Sequence, residues 1–192
     1  QYDARVTELE GAYYIAYCAQ TMEEVVRIGL ARTRDFRTFE RLPFPTQPWS
    51  RNCALFPERI GGLYARLDRP MSGSDAMTFI TFSPDLEFWG KSKPLNLRIE
   101  TWMREKWGIG PAPIRTDEGW LLIYHGAKEM GNRPVYRLGL ALLERNDPRK
   151  VVARAARWVF APEVDYEQRG LVPNVVYTCG ALIRGDEVWM YY

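Results

Sequence analysis

Four stretches of the chain alternate apolar, largely aromatic residues with small or polar ones, and each begins at a glycine. They are "GAYYIAYCA" from Gly11, "GGLYARLDRP" from Gly61, "GWLLIYHGA" from Gly119 and "GDEVWMYY" from Gly185. Alternation with a period of two marks a strand with one face in a core, and the glycine marks the turn that feeds it. Between them run "VVRIGLARTRDF", "AMTFITFSPDL" and "YRLGLALLERNDP", further strand patterns that each end in a polar turn holding an aspartate. Two of those turns continue alike, as "RDFRTFERL" and "PDLEFWGKS". The glycine turns recur at roughly 50 to 65 residues, the period of a propeller blade made of four short strands. A β-sandwich also supplies short strands and regular turns, and the recurrence favours the propeller. Helix is nearly absent, since only "IETWMREKW" (residues 99–107) offers a turn or two.

The pattern therefore predicts an all-β chain of about three and a half blade periods, whereas a propeller closes with four or more. The chain starts without methionine at "QYDARVTELEG" and stops inside the strand pattern "GDEVWMYY". A segment of a longer protein is expected, with blades missing at both ends of residues 1–192.

Composition narrows the chemistry. With 26 basic and 24 acidic residues the formal charge is +2, so no overall field attracts nucleic acid or an anionic membrane surface, and any cationic site must be local. No stretch approaches the roughly 18 uninterrupted apolar residues of a membrane span, and no basic-then-apolar leader opens the chain. A soluble, cytoplasmic protein is expected. Cys18, Cys53 and Cys179 are odd in number, far apart and without CxxC spacing, which fits a reducing compartment and predicts neither a disulfide framework nor a metal site. Aromatic residues make up 14%, with seven Trp and eleven Tyr. Such a surplus with polar tips suits an aromatic-lined cleft of the kind that takes sugars.

In a propeller the inner strands face a central funnel, so polar residues at strand ends are the candidates: Asp3, Arg5, Asp68, Arg69, Arg115 and the only histidine, His125. Singly, each has a plain structural reading. "DAR" can be a solvated ion pair, "RP" can end a strand, "PAPIR" can be a rigid approach to a hairpin, and a histidine in a strand is usually packed.

Taken in order, the segments "DAR", "ARTRDFRTFERL", "NCALFPERIGGLYARLDRP", "SPDLEFWGKSKPL", "GIGPAPIRTDEGWLLIYHGA", "YRLGLALLERNDPRKVVAR" and "PEVDYEQRGLVPNVVYTCGALIRGDEVWMYY" resemble glycoside hydrolase family 130. That family holds β-mannoside phosphorylases and related hydrolases on a five-bladed β-propeller. The resemblance implies that Asp3 is the proton donor, in a motif that usually reads EDPR and here has Tyr2 and Ala4 in place of Glu and Pro. It implies phosphate contacts from Arg69 of "DRP", from Arg115 standing where PPIK has its lysine, and from His125 of "YHG", with Arg51 as a further candidate. Arg5, Asp68 and Tyr124 are implied on the substrate side, Asp68 standing where the family's HRP has histidine. Gly126 and Ala127 would leave room for a ligand against the backbone.

Inverting hydrolysis needs an acid and a second carboxylate to activate water. Phosphorolysis needs no such base, because phosphate is already an anionic nucleophile that Arg, Lys and His hold and orient. The expectation is a phosphorylase that splits β-mannosyl linkages, of the β-1,4 type foremost, into α-mannose 1-phosphate. Its partners are a β-mannoside oligosaccharide and inorganic phosphate, with no other cofactor, no nucleic acid and no membrane, and a homo-oligomer is left open. The alternatives are an inverting β-mannosidase, with Asp68, Asp75 or Glu100 as base, and an inactive fragment or sugar-binding propeller.

Overall fold

The structure, a computed structural model, describes residues 1–71, 77–131 and 133–192. Three successive antiparallel meanders account for most of it. The first is β1 (Tyr2–Leu9), β2 (Ala12–Gln20), β3 (Val26–Thr33) and β4 (Glu40–Leu42); the second is β5 (Ser50–Leu55), β6 (Tyr64–Pro70), β7 (Phe79–Ser83) and β8 (Lys93–Pro94). In the third, the inner strand is broken in two, β9 (Lys106–Ile109) and β10 (Ile114–Thr116), both pairing with β11 (Gly119–Met130), and β12 (Arg133–Leu143) and β13 (Val151–Arg154) follow. The hairpin of β14 (Gly180–Arg184) and β15 (Glu187–Tyr191) opens a fourth unit.

The four glycine turns join the first strand of each unit to the second, at the same place in every repeat. Gly119 shows why the residue is needed: its φ is +144°, and an added Cβ would lie 2.3 Å from the Leu143 carbonyl oxygen. The aspartate turns repeat as well. Asp35 Oδ1 accepts from the backbone N–H of Arg37 and Thr38 at 2.8 Å each, and Asp85 Oδ1 accepts from Glu87 and Phe88 at 2.9 and 2.8 Å. These donors pull the Asp35 carboxyl down to about 2. The residue after each, Phe36 or Leu86, sits in the left-handed region, which the aspartate's bonds to the backbone beyond help to hold.

Burial follows the alternation. On β2 every second residue is buried, whereas β6 is buried on both faces because a blade covers each side. One apolar cluster joins the first two blades through Ile28, Leu30, Leu55 and Tyr64. A larger one joins the second and third through Phe56, Leu67, Ile80, Trp107, Trp120 and Tyr124. Each fully buried aliphatic side chain here contributes roughly 1.5 to 3 kcal/mol. The Phe56 and Trp120 rings meet edge to face at 5.1 Å, a pairing that adds about 0.5 to 1.5 kcal/mol.

Helix is confined to single turns among the described residues. Thr101–Met103 forms a 3-10 turn that buries Trp102 and Met103, inside the segment where a turn or two was expected. Asp165–Gln168 forms one α-turn that the sequence pattern did not announce, since four residues carry no period. No helix among the described residues is long and apolar enough to cross a membrane.

Candidate active site

Two β-bulges at equivalent points of neighbouring blades prepare the site. On β1, Tyr2 pairs with Cys18 but Arg5 with Ala16, so Asp3 and Ala4 stand against one residue. On β5, Arg51 pairs with Arg69 but Ala54 with Leu67, so Asn52 and Cys53 do the same. Asp3 and Asn52 adopt left-handed backbone at φ 57° and 53°. A non-glycine residue held there costs of order 1 to 3 kcal/mol, and a bulge re-aims the side chain it carries.

Arg5 holds the first bulge in place. It is almost wholly buried. Its guanidinium donates to the Asp3 carbonyl at 2.8 Å, to the Ile109 and Gly110 carbonyls of the third blade at 3.1 and 2.5 Å, and to the Tyr177 hydroxyl at 2.8 Å. Tyr177 Oη also accepts from Asn52 Nδ2 at 2.7 Å and donates to Asp3 Oδ2 at 2.9 Å. Burial lifts the Tyr177 phenol above the ordinary tyrosine range, so it remains a donor.

The cations line the same cavity as Asp3 and Tyr177. Arg69 Nη1 approaches His125 Nε2 at 3.3 Å and the Trp107 carbonyl at 3.5 Å. Because a guanidinium only donates, His125 accepts at Nε2. Burial, then the positive charge of Arg69, Arg5 and Lys106, pushes the His125 pKa well below its usual value, leaving a neutral ring. Lys106 Nζ lies 4.8 Å from the centre of the Tyr136 ring, and the Arg51 guanidinium 5.8 Å from that of Tyr2. Gly108 floors the group: a Cβ there would meet Arg69 Nη1 and Asn52 Oδ1 at 2.8 Å and His125 Cε1 at 2.9 Å. Asp3, Arg51, Asn52, Arg69, Lys106 and His125 all line one cavity of about 340 Å³, walled by Tyr2, Tyr136 and Tyr177 and by Val172 and Val175. Three cations and a neutral imidazole in one cavity with a carboxylate suit a small dianion beside a group that needs a proton.

The sequence candidates thus divide. Asp3, Arg51, Arg69 and His125 share the cavity, and Arg5 stands behind it as the clamp. Arg115 is not brought there. It lies on β10 opposite Trp120, five residues or about 16 Å along β11 from His125, and it pairs with Glu58 at 3.2 Å. The break at residues 110–113 carries it away from the cavity end of the inner strand. Asp68 is also elsewhere, buried in an ion pair with Arg66 at 3.1 Å and accepting from Ser50 at 2.9 Å. Tyr124 packs between Trp102 and Trp107, at 5.8 and 6.0 Å. Each of these two stands one residue before a cavity residue, so strand alternation sends it to the opposite face. Of the carboxylates considered as bases, Glu100 pairs with Arg98 and Arg154, and Asp75 lies outside the described residues.

The residues that the sequence reading missed are Lys106, Asn52 and Tyr177. Lys106 opens β9 opposite Ala127, two residues beyond His125 on β11, so its distance from "YHG" in the strand ladder was its signal. Asn52 and Tyr177 had none, since a bulge and a contact from the fourth unit set their places. Cys18 and Cys53 are buried, Cys179 is half-buried, and all three are free thiols. Burial pushes the Cys53 thiol up to about 12.

The profile of glycoside hydrolase family 130, described as β-1,4-mannooligosaccharide phosphorylase, matches residues 1–192. The chain is 37% identical to 1,2-β-oligomannan phosphorylase of Thermoanaerobacter sp. (strain X514), over 99% of this chain and 63% of that protein. It is 35% identical to β-1,4-mannooligosaccharide phosphorylase of Ruminococcus albus, over 100% of this chain and 58% of that protein. The structure of β-1,2-mannobiose phosphorylase from Listeria innocua, in complex with β-1,2-mannobiose, superposes with a TM-score of 0.90 at 38% identity and covers 99% of this chain and 54% of that one. The chain therefore spans a little over half the length of these relatives. Three blades and the first hairpin of a fourth, closing on one cavity and matched from end to end, make this chain a member of glycoside hydrolase family 130 and part of its five-bladed β-propeller.

Proposed function

We propose that this chain is part of the catalytic propeller of a β-mannoside phosphorylase, and that the cavity between Asp3 and the Arg51, Arg69, Lys106 and His125 group is its reaction centre. The observation that carries the reading is that this cationic group and a carboxylate line the same cavity. A hydrolase needs a second carboxylate to activate water; here Asp68 and Glu100 are committed to arginines away from the cavity. Phosphorolysis needs an oriented dianion, and three cations hold one.

In the proposed step a phosphate oxygen attacks the anomeric carbon on the face opposite the leaving oxygen, and the glycosidic C–O bond breaks. The leaving oxygen takes a proton that starts on Asp3 and passes through the mannose 3-hydroxyl. The β-linkage becomes α-mannose 1-phosphate, Asp3 ends as a carboxylate, and water returns its proton. Inorganic phosphate is the only co-substrate. The linkage follows from the acceptor side, where relatives of similar identity are named for both 1,2- and 1,4-bonds. Free thiols at Cys18, Cys53 and Cys179 favour the cytoplasm as its setting.

The test uses the full-length polypeptide with β-1,4- and β-1,2-mannobiose in parallel, with and without phosphate. Mannose 1-phosphate should form from one of them in proportion to phosphate bound. Asp3→Asn, which keeps shape but cannot give a proton, should slow cleavage by roughly 10² to 10⁴. Free mannose released at one rate regardless of phosphate would overturn the reading.

A further inference from the structure

We propose that Tyr177 is the positioning residue for the acid: its hydroxyl occupies Oδ2 of Asp3 and leaves Oδ1 to carry the proton that is transferred. The inference rests on the phosphorylase reading above. Both lone pairs of the phenol are taken, by Arg5 at 2.8 Å and by the Asn52 amide at 2.7 Å, and neither nitrogen can accept. The phenol has one hydrogen left to give, and it goes to Asp3 Oδ2 at 2.9 Å. The ring cannot swing away, because it packs 4.8 Å from the His125 ring, and Arg5 lies 5.9 Å from its centre.

This arrangement breaks the equivalence of the two carboxyl oxygens. A proton on Oδ2 would face the phenol hydrogen, so the carboxylic acid carries its proton on Oδ1. Among the described residues Oδ1 has no hydrogen-bond partner, and Asp3 lines the cavity. During turnover the Oδ1 proton passes to the sugar hydroxyl that faces it, that hydroxyl gives its own proton to the leaving oxygen, and the phosphate–carbon bond forms as the glycosidic bond breaks. The carboxylate that remains keeps the Tyr177 hydrogen bond. Asn52 acts one step further back, by aiming the phenol.

Tyr177→Phe in the full-length polypeptide tests this, on two substrates with saturating phosphate. With mannobiose, whose leaving oxygen must be protonated, kcat should fall about tenfold to a hundredfold. With 2,4-dinitrophenyl β-mannoside, whose leaving group needs no proton, kcat should change less than about threefold, and the KM for phosphate less than about twofold. Adding Tyr177→Phe to Asp3→Asn should bring no further loss on either substrate. A merely structural role would lower both substrates together or raise the KM for phosphate, and either result overturns the proposal, as does no change at all. Should Tyr177→Phe not fold, Asn52→Ala should give the same split to a smaller degree, and an equal loss on both substrates overturns the proposal. If the wild-type protein cleaves without phosphate, the phosphorylase reading fails by itself, and the split is then read on hydrolysis.

Discussion

The Arg69 guanidinium of the second blade donates to Nε2 of His125 in the third, across 3.3 Å, and so a cation and a buried imidazole share one wall of the cavity. His125 is the chain's only histidine, and its folded pKa lies well below the 6.5 of a free imidazole, through burial and then Arg69. As pH falls below about 6.5 the unfolded chain takes up a proton that the folded one refuses, so stability is full above that value and is lost towards the lower folded pKa. Urea unfolding of the wild type should lose up to about 1.4 kcal/mol per pH unit in that window. In His125→Gln the part of this slope between about pH 6.5 and 5, above the carboxylate range, should vanish.

Lys106 and Arg115 make a matched pair for testing which cation serves phosphate. Lys106→Met removes a charge that lines the cavity and should raise the KM for phosphate roughly tenfold to a hundredfold. Arg115→Ala breaks the half-exposed pair with Glu58 and the contact over the Trp120 ring at 5.6 Å, both away from the cavity, and steady-state kinetics should find phosphate use within about twofold of wild type.

Gly108→Ala should be tolerated by the backbone, since Gly108 lies in β9 and is not among the positive-φ glycines. Its Cβ would nonetheless press on Arg69, Asn52 and His125 together. Overpacking of this kind costs roughly 1 to 3 kcal/mol. Calorimetry should show that loss, and weaker phosphate binding should accompany it.

Asp68→Ala separates a structural from a sugar-binding role. Removing one member of a buried pair leaves Arg66 uncompensated, which costs about 3 to 5 kcal/mol. Thermal unfolding should drop accordingly. The fraction that stays folded should keep the KM for mannoside.

What could be read in the sequence was what local rules decide. The glycine turns at Gly11, Gly61, Gly119 and Gly185 and the aspartate turns at Asp35 and Asp85 are fixed within a few residues, and they gave the strands and the blade period. That Asp3, Arg51, Arg69 and His125 share one cavity was legible from motif order. Asp68 and Tyr124 went to the other face because neighbours in a regular strand alternate. Arg115 was assigned from its place in the motif, where the family's PPIK has its lysine, and the interruption of the inner strand between Ile109 and Ile114 puts it out of reach of the cavity. Tyr177 lies 174 residues from the carboxylate it touches, and no local pattern reports a contact of that range.

That separation bears on how the protein comes to exist as an active molecule. Asp3, Asn52, His125 and Tyr177 come from four successive units, so the cavity is assembled only after all four have docked, and long-range closure of this kind is slow. A chain in which only the first two blades described above had folded would hold Asp3 but not His125 or Tyr177. A phosphate held by Arg51, Arg69, Lys106 and His125, as proposed above, needs the finished arrangement, and a ligand that selects the native form raises its population by mass action. Under the proposed function phosphate would serve twice, once as reactant and once as a ligand that secures the last docking event, and proteolysis of partly folded chains should slow as phosphate rises.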